Sequence, residues 1–280
     1  MSKFQLATDV YVETIALKVN DVEKMNHFYK NILGFVLKVE ENNMSIFGSE
    51  ESNSRLLILE EIETAEKVVG TFKQIFCFSL LIPTEAEFSA LLKKITMYDY
   101  PIGQVLQEKN RRSVVLSDPE GNKVELCYYV PKTAQHFNQQ ETFDPEELLA
   151  ETSEIFASLS PTVRIERLRM PVENSEQYHF FYQGILGIPV VSEKSGRARF
   201  TNGRFSLELI EVATEPLSFE ENEETLGIEF LIFPLKNKQE MEQLKEHLDN
   251  EKQSFFVDKK RTVLTIYDPG NTEWWFVNNE

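Results

Sequence analysis

The chain has 280 residues, 41% of them hydrophobic, enough to bury a core and to exclude global disorder. Acidic residues outnumber basic ones 46 to 29, for a net charge of −17, which excludes nucleic acid and anionic membrane surfaces as partners because phosphate contacts need a cationic footprint. No apolar run is long enough to span a membrane, "MSKFQLATDV" has no signal-like apolar core, and the two cysteines, Cys77 and Cys127, make no disulfide framework, so a cytoplasmic protein with reduced thiols is expected.

In chain order, the first element is an alternating strand, "TIALKV" (14–19). Ile15, Leu17 and Val19 share its packing face, and Thr14, Ala16 and Lys18 the other. "VNDVEKMNHFYKNILGF" (19–35) predicts a helix that starts at Asp21 and stops at Gly34. Strands with tight turns follow over 36–61. "QIFCFSLLIP" (74–83) is a strand, "TEAEFSALLKKITMYD" (84–99) a helix, and "QVLQEKNRRSVVLSDPEGNKVELCYY" (104–129) more strands. Alternation puts Cys77 and Ser79 on one face of the first of these, and Glu125 and Cys127 on one face of the last. Arg111 and Arg112 read as a solvated hairpin end or a rim site for an anion.

A polar stretch, 130–163, separates the halves and carries one amphipathic piece, "DPEELLAETSEIFASL". Its apolar residues Leu148, Leu149, Ile155 and Phe156 should dock onto the flanking domains. The boundaries expected are 1–137, a linker at 138–160, and 161–280.

The second half repeats the first. "VENSEQYHFFYQGILGI" (172–188) matches the first helix at an offset of 153 residues, after the strand "RLRMPV". Its helix should start at Glu173 or Asn174 and stop at Gly187. "VVSEKSGRARFTNGRFSLELIEV", "LGIEFLIFP", "NKQEMEQLKEHLDNEKQ" and "KRTVLTIYDPGNTEWWF" complete it. The recurring unit is strand–helix–three strands, used four times. The four histidines fall on helices (His27, His179, His247) or in the linker (His136). They read as helix-surface or packing residues, with His247 on a solvated face.

The pair FY-x-x-(I/L)-LG and DPEGN-x-x-E resembles the vicinal oxygen chelate superfamily of glyoxalases, bleomycin-resistance proteins and extradiol dioxygenases. The resemblance implies an α+β fold of two domains, each of paired βαβββ modules around a cupped mixed sheet. "LILEEIETAEKVVGTFKQI" and "NTEWWFVNNE" are similar to the streptococcal CppA family, which carries the label of complement C3-degrading proteinase.

The superfamily's metal site takes a His from the first strand, a His from the fifth and a Glu from the eighth. In this chain the resemblance puts Thr14, Cys77 and Glu125 in those slots. A hydroxyl, a thiol and one carboxylate make a poor Fe(II) site. The second-half slots fall on Arg167, Ile228 and Trp274, the last because the turn "DPGN" is one residue shorter than "DPEGN", which shifts Glu273 to the opposite face unless a bulge intervenes. Arginine cannot ligate a metal. The expectation is a protein without a cofactor, Fe, Mn or Zn being the alternative. Its ligand cup would be lined by Thr14, Lys18, Cys77, Ser79 and Glu125. In the second half, Arg167 is expected to pair with Glu208 or to bind an anionic ligand. The partner would be a small molecule or a protein.

Two other functions compete: a ring-cleaving dioxygenase or lyase, and a CppA-like role on a host protein. A proteinase needs a nucleophile beside a base, and neither G-x-S-x-G nor H-E-x-x-H is present. Cys77 and Cys127 could also form a redox pair if their strands bring them together, although two small buried hydrophobes is the simpler reading.

Overall fold

The computed structural model describes residues 4–62, 77–108, 110–131, 142–150, 158–194, 196–212 and 226–278. The βαβββ plan occurs four times, as expected. The first module is β1 (Thr14–Val19), α1 (Val22–Asn26), β2 (Val36–Glu41), β3 (Met44–Gly48) and β4 (Leu57–Glu61). The second is β5 (Cys77–Leu81), α2 (Glu85–Met97), β6 (Gln104–Glu108), β7 (Arg111–Ser117) and β8 (Lys123–Tyr129). A short helix, α3 (Pro145–Ala150), lies in the linker. The third module is β9 (Arg164–Val172), α4 (Ser175–His179), β10 (Val190–Lys194), β11 (Arg197–Asn202) and β12 (Phe205–Glu211). The fourth is β13 (Gly227–Leu235), α5 (Lys238–Asn250), β14 (Phe256–Val257), β15 (Val263–Tyr267) and β16 (Glu273–Asn278). The strands make two eight-stranded mixed sheets, so the class is α+β. No described helix is long and apolar enough to cross a membrane.

The chain divides into two compact units, one containing Met1–Lys18 and Glu166–Glu280, the other Val19–Ala65 and Cys77–Ile165. In the second of these, β5 runs parallel to β8, β8 antiparallel to β7, and β7 antiparallel to β6. In the first, β9 is parallel to β12, which continues through β11 to β10. There β13 is parallel to β16 and antiparallel to β1. β1 is laddered antiparallel to β13, with Thr14 opposite Ile232 and Lys18 opposite Gly227.

The segment before β1 is tied to the same unit. The Leu6 amide donates to the Leu186 carbonyl at 3.1 Å. Asn202 Nδ2 donates to the carbonyls of Ala7 and Val10 at 2.7 and 3.0 Å. Gly203 (φ +57°) has to be glycine, since a Cβ there would lie 1.8 Å from the Thr8 carbonyl oxygen.

The two FY helices begin where expected. Asp21 and Asn174 cap them, accepting from the amides of Lys24 and Glu176. Both then widen into a π-helical turn the sequence did not predict, His27–Ile32 and Phe180–Ile185. The Leu33 amide reaches the Phe28 carbonyl and the Leu186 amide the Phe181 carbonyl, each at 3.0 Å. Gly34 (φ +77°) and Gly187 (φ +65°) end them. The wider turn brings Phe-Tyr into the core, where Tyr29 meets Phe28, Phe35 and Phe47, and Tyr182 meets Phe181, Phe200 and Trp274. In the linker, Leu148 of α3 is buried and α3 packs on α2. Ile155, Phe156 and His136 lie outside the described residues.

Candidate functional site

The repeated sequence motifs meet in space. Tyr29 Oη donates to Asp118 Oδ2 at 3.0 Å, and Tyr182 Oη donates to Asp268 Oδ2 at 2.8 Å. Each aspartate also closes its own turn. Asp118 Oδ1 accepts from the amides of Glu120 and Asn122, and Asp268 Oδ1 from those of Gly270 and Thr272. Burial raises Asp118 from 3.8 to about 6, against these hydrogen bonds, which favour the anion. Burial also raises Asp268. Tyr29 and Tyr182 lie well above the usual tyrosine range, through burial first and then the facing carboxylate. Two motifs a hundred residues apart recur together because they form one buried joint.

The two turns are equally long, which corrects the expected slots of the second half. Asp118 N bonds Asn122 O at 2.8 Å, and Asp268 N bonds Thr272 O at 3.0 Å. The left-handed position is Gly121 (φ +95°) in one and Asn271 (φ +59°) in the other. The match is DPEGN with DPGNT, so Trp275, not Trp274, stands where the first half has Glu125. Gly270 replaces Glu120 because a Cβ there would lie 2.4 Å from Tyr178 Oη. Trp274 is fully buried and stacks on Phe233 at 4.5 Å. Trp275 points to the other face, stacks on Phe230 at 4.2 Å, and donates from Nε1 to Glu273 Oε2 at 2.6 Å.

Glu125 anchors the first half. It is fully buried on β8, and strand register places Ser79, Val115 and Ser113 on its face. Arg111 grips it with two parallel bonds, Nη1 to Oε1 at 2.8 Å and Nη2 to Oε2 at 3.0 Å. Ser113 Oγ adds a bond to Oε1 at 2.7 Å, and Ser79 Oγ one to Oε2. Arg111 is 2% exposed, which overturns its reading as a solvated hairpin end. It ladders with Tyr129, four residues beyond Glu125, roughly 13 Å along the strand. The small side chains of Ser113 and Cys127, paired between them, leave room for the arginine to lie flat. Arg112, on the opposite face, is half-buried against Tyr128, Glu85 and the Phe143 ring.

Glu208 plays a similar part on β12. It lies 3.5 Å from Arg169 Nε and 3.5 Å from Arg199 Nη2. Arg167, expected to pair with Glu208, ladders with Ser206, and Arg169 is the residue in register with Glu208. Arg167 is 5% exposed and so stays out of solvent on the same face.

The five residues expected to line a cup lie on three strands. Ser79 and Glu125 touch, and Cys77 lies two residues along β5. Thr14 and Lys18 are on β1, in the other sheet. Thr14 is buried opposite Ile232, and Lys18 Nζ is 3.4 Å from Glu229 Oε1. Cys77 and Cys127 are buried and form no disulfide. Cys77 ladders with Lys123 and Cys127 with Leu81, four steps apart and roughly 13 Å along the strands, beyond disulfide reach. His27 bonds Asn31 and His179 bonds Gln183 on their own helices. His247 is not on a solvated face: it stacks on Phe4 at 4.2 Å, and its Nε2 lies 2.7 Å from the Ile185 carbonyl oxygen, at the end of the π-turn.

A divalent metal does not fit this donor set. A cation approaching Glu125 would have to displace a permanently charged guanidinium from both carboxylate oxygens. Among the described residues no group of three His, Cys, Asp or Glu could hold a metal.

The repeated βαβββ modules, the FY–DP joints and the buried carboxylate on a sheet face define the glyoxalase/dioxygenase class of fold. Residues 11–126 match the model of the Glyoxalase/Bleomycin resistance protein/Dioxygenase superfamily, and residues 161–276 match that of the CppA C-terminal family. The chain is similar in structure to a putative dioxygenase from Bacillus subtilis (TM-score 0.68, 12% identity, 99% of this chain and 86% of that one). It is likewise similar to the cppA protein of Streptococcus pneumoniae TIGR4 (TM-score 0.63, 19% identity, 96% and 100%) and to glyoxalase I from Zea mays (TM-score 0.60, 14% identity, 97% and 93%).

Proposed function

We propose that this chain is a metal-independent binding protein built on the glyoxalase/dioxygenase fold. Glu125, the one carboxylate in the first half's expected ligand slots, is taken up in an arginine–glutamate pair. The observation that carries the reading is the grip of Arg111 on both oxygens of buried Glu125. That arrangement spends the carboxylate on a fixed ion pair and keeps it from acting as a ligand or a base. Its role is then to hold β5, β7 and β8 in register behind a sheet face that can bind but not activate. Glu208, between Arg169 and Arg199, repeats the same chemistry. Among the described residues a proteinase built on Cys77 gains no support: His27, His179 and His247 are engaged by their own neighbours.

The test is metal loading. Chelator-treated protein is equilibrated with Fe(II), Mn(II) or Zn(II), desalted and analysed for metal. Well under one ion per chain is expected for each. One ion per chain, lost in Glu125→Gln, would overturn the proposal and favour the dioxygenase or lyase reading.

A further inference from the structure

We infer that the surface of the second half centred on Phe180 docks a second copy of this chain, forming a dimer with twofold symmetry. The inference goes beyond the binding reading above and does not rest on it.

The internal repeat supplies the comparison. At the offset of 153 residues, Phe180 stands where the first half has His27, and Gly184 where it has Asn31. His27 and Asn31 bond to each other at 2.9 Å. In their place Phe180 is 66% exposed, and Gly184 leaves its ring room: a Cβ there would lie 3.3 Å from Phe180 Cδ2. Gly184 has no left-handed φ, so its backbone does not demand glycine, and glycine inside a helical turn is a destabilising choice. The first half makes the same π-helical turn with a polar pair. The fold therefore does not account for an exposed phenylalanine beside a glycine.

Phe180 is a ridge between two hollows. It lines a cavity of about 880 Å³ shared with β10 and β11, and another of about 470 Å³ shared with the DPGNT turn. Tyr267, 47% exposed, lines the second together with Pro269. Exposed aromatic side chains flanked by open hollows and ringed by polar residues have the anatomy of a protein-docking surface.

The charges choose the occupant. The chain carries a net −17, so two copies repel each other over most of their surface. The larger cavity instead carries both signs in equal number, Glu176 and Glu193 against Lys194 and Arg197. Lys194 lies opposite Arg197 in register, an unfavourable pair of like charges, and neither has an ion-pair partner among the described residues. In a twofold interface one patch meets itself, so that residue i faces j and j faces i. A patch holding both signs then sets the acids of each copy against the cations of the other, with each Phe180 seated in a hollow of its neighbour. A partner of one sign would satisfy only half of these charges.

The test is sedimentation velocity of the full chain from about 1 to 100 μM. A monomer–dimer equilibrium within that range is expected. Phe180→Asp should raise the dissociation constant about ten-fold or more. Phe180→His with Gly184→Asn installs the first half's pair and should do the same. Two charge variants then test the symmetry. One carries Glu176→Lys and Glu193→Lys, the other Lys194→Glu and Arg197→Glu. Each alone should be monomeric, and an equimolar mixture should dimerise. A monomer at every concentration overturns the inference and leaves the face to another partner. An unchanged dissociation constant in Phe180→Asp overturns it by placing the dimer contact elsewhere. If Phe180→Asp does not fold, an unchanged constant in the Phe180→His, Gly184→Asn variant is the overturning result. Charge variants that dimerise alone as well as the parent overturn it too.

Discussion

Removing Arg111 tests the account of Glu125 most directly. In Arg111→Met the carboxylate stays fully buried and keeps the hydroxyls of Ser79 and Ser113, but loses its counter-charge. Breaking one side of a buried ion pair costs about 3–5 kcal/mol, most of it from the charge left behind. Glu125→Gln strands the guanidinium instead and should cost a similar amount. Arg111→Met with Glu125→Gln removes both charges. The double variant should therefore be more stable than either single one, so the coupling energy exceeds about 3 kcal/mol. Urea unfolding followed by circular dichroism measures all four proteins, with the m-value checked for each. Additive losses would show that the pair is not coupled, and a loss under about 1 kcal/mol in Arg111→Met would show that it is not truly desolvated.

Further expected outcomes follow from the joints and the N-terminal tie. Tyr29→Phe and Tyr182→Phe each remove a bond to a buried carboxylate and should cost about 1.5–3 kcal/mol, equal within about 1 kcal/mol, by the same urea assay. Because burial raises Asp118 from 3.8 to about 6, the folded state holds this proton more tightly than the unfolded chain. Its contribution to stability is full below pH 4 and falls by about 3 kcal/mol as pH rises through 6. Asp118→Asn should lack that decline; a stability–pH curve parallel to the parent between pH 4 and 7 would refute the assignment. Gly203→Ala must adopt φ +57° and push the Thr8 carbonyl away, so a loss of more than about 2 kcal/mol is expected. A fragment starting at residue 161 lacks β1, which is laddered to β13, and should unfold without cooperativity until a peptide of residues 4–19 is added.

Much of this protein can be read from local pattern. The period of two in "TIALKV" and "KVELCYY", the caps at Asp21 and Asn174, and the terminal glycines Gly34 and Gly187 fix four βαβββ modules, because each signal acts over one or two turns of chain. The same alternation places Ser79 and Glu125 on one face. Sequence alone could not decide which module edge takes β1, since backbone edges carry no residue-specific code. It also misread the DPGN turn by one residue, because the left-handed position held by Gly121 in one turn is held by Asn271 in the other, with the glycine one residue earlier, and both residue types tolerate it. Arg111 was legible as a charge but not as a partner. Its hold on Glu125 spans four ladder steps and depends on small neighbours, Ser113 and Cys127, standing between. The positions of Ser79, Arg111 and Glu125 are therefore given by the sequence, while the tertiary structure decides their chemistry, because burial and a counter-ion determine whether a carboxylate is free to bind a ligand or is half of an ion pair.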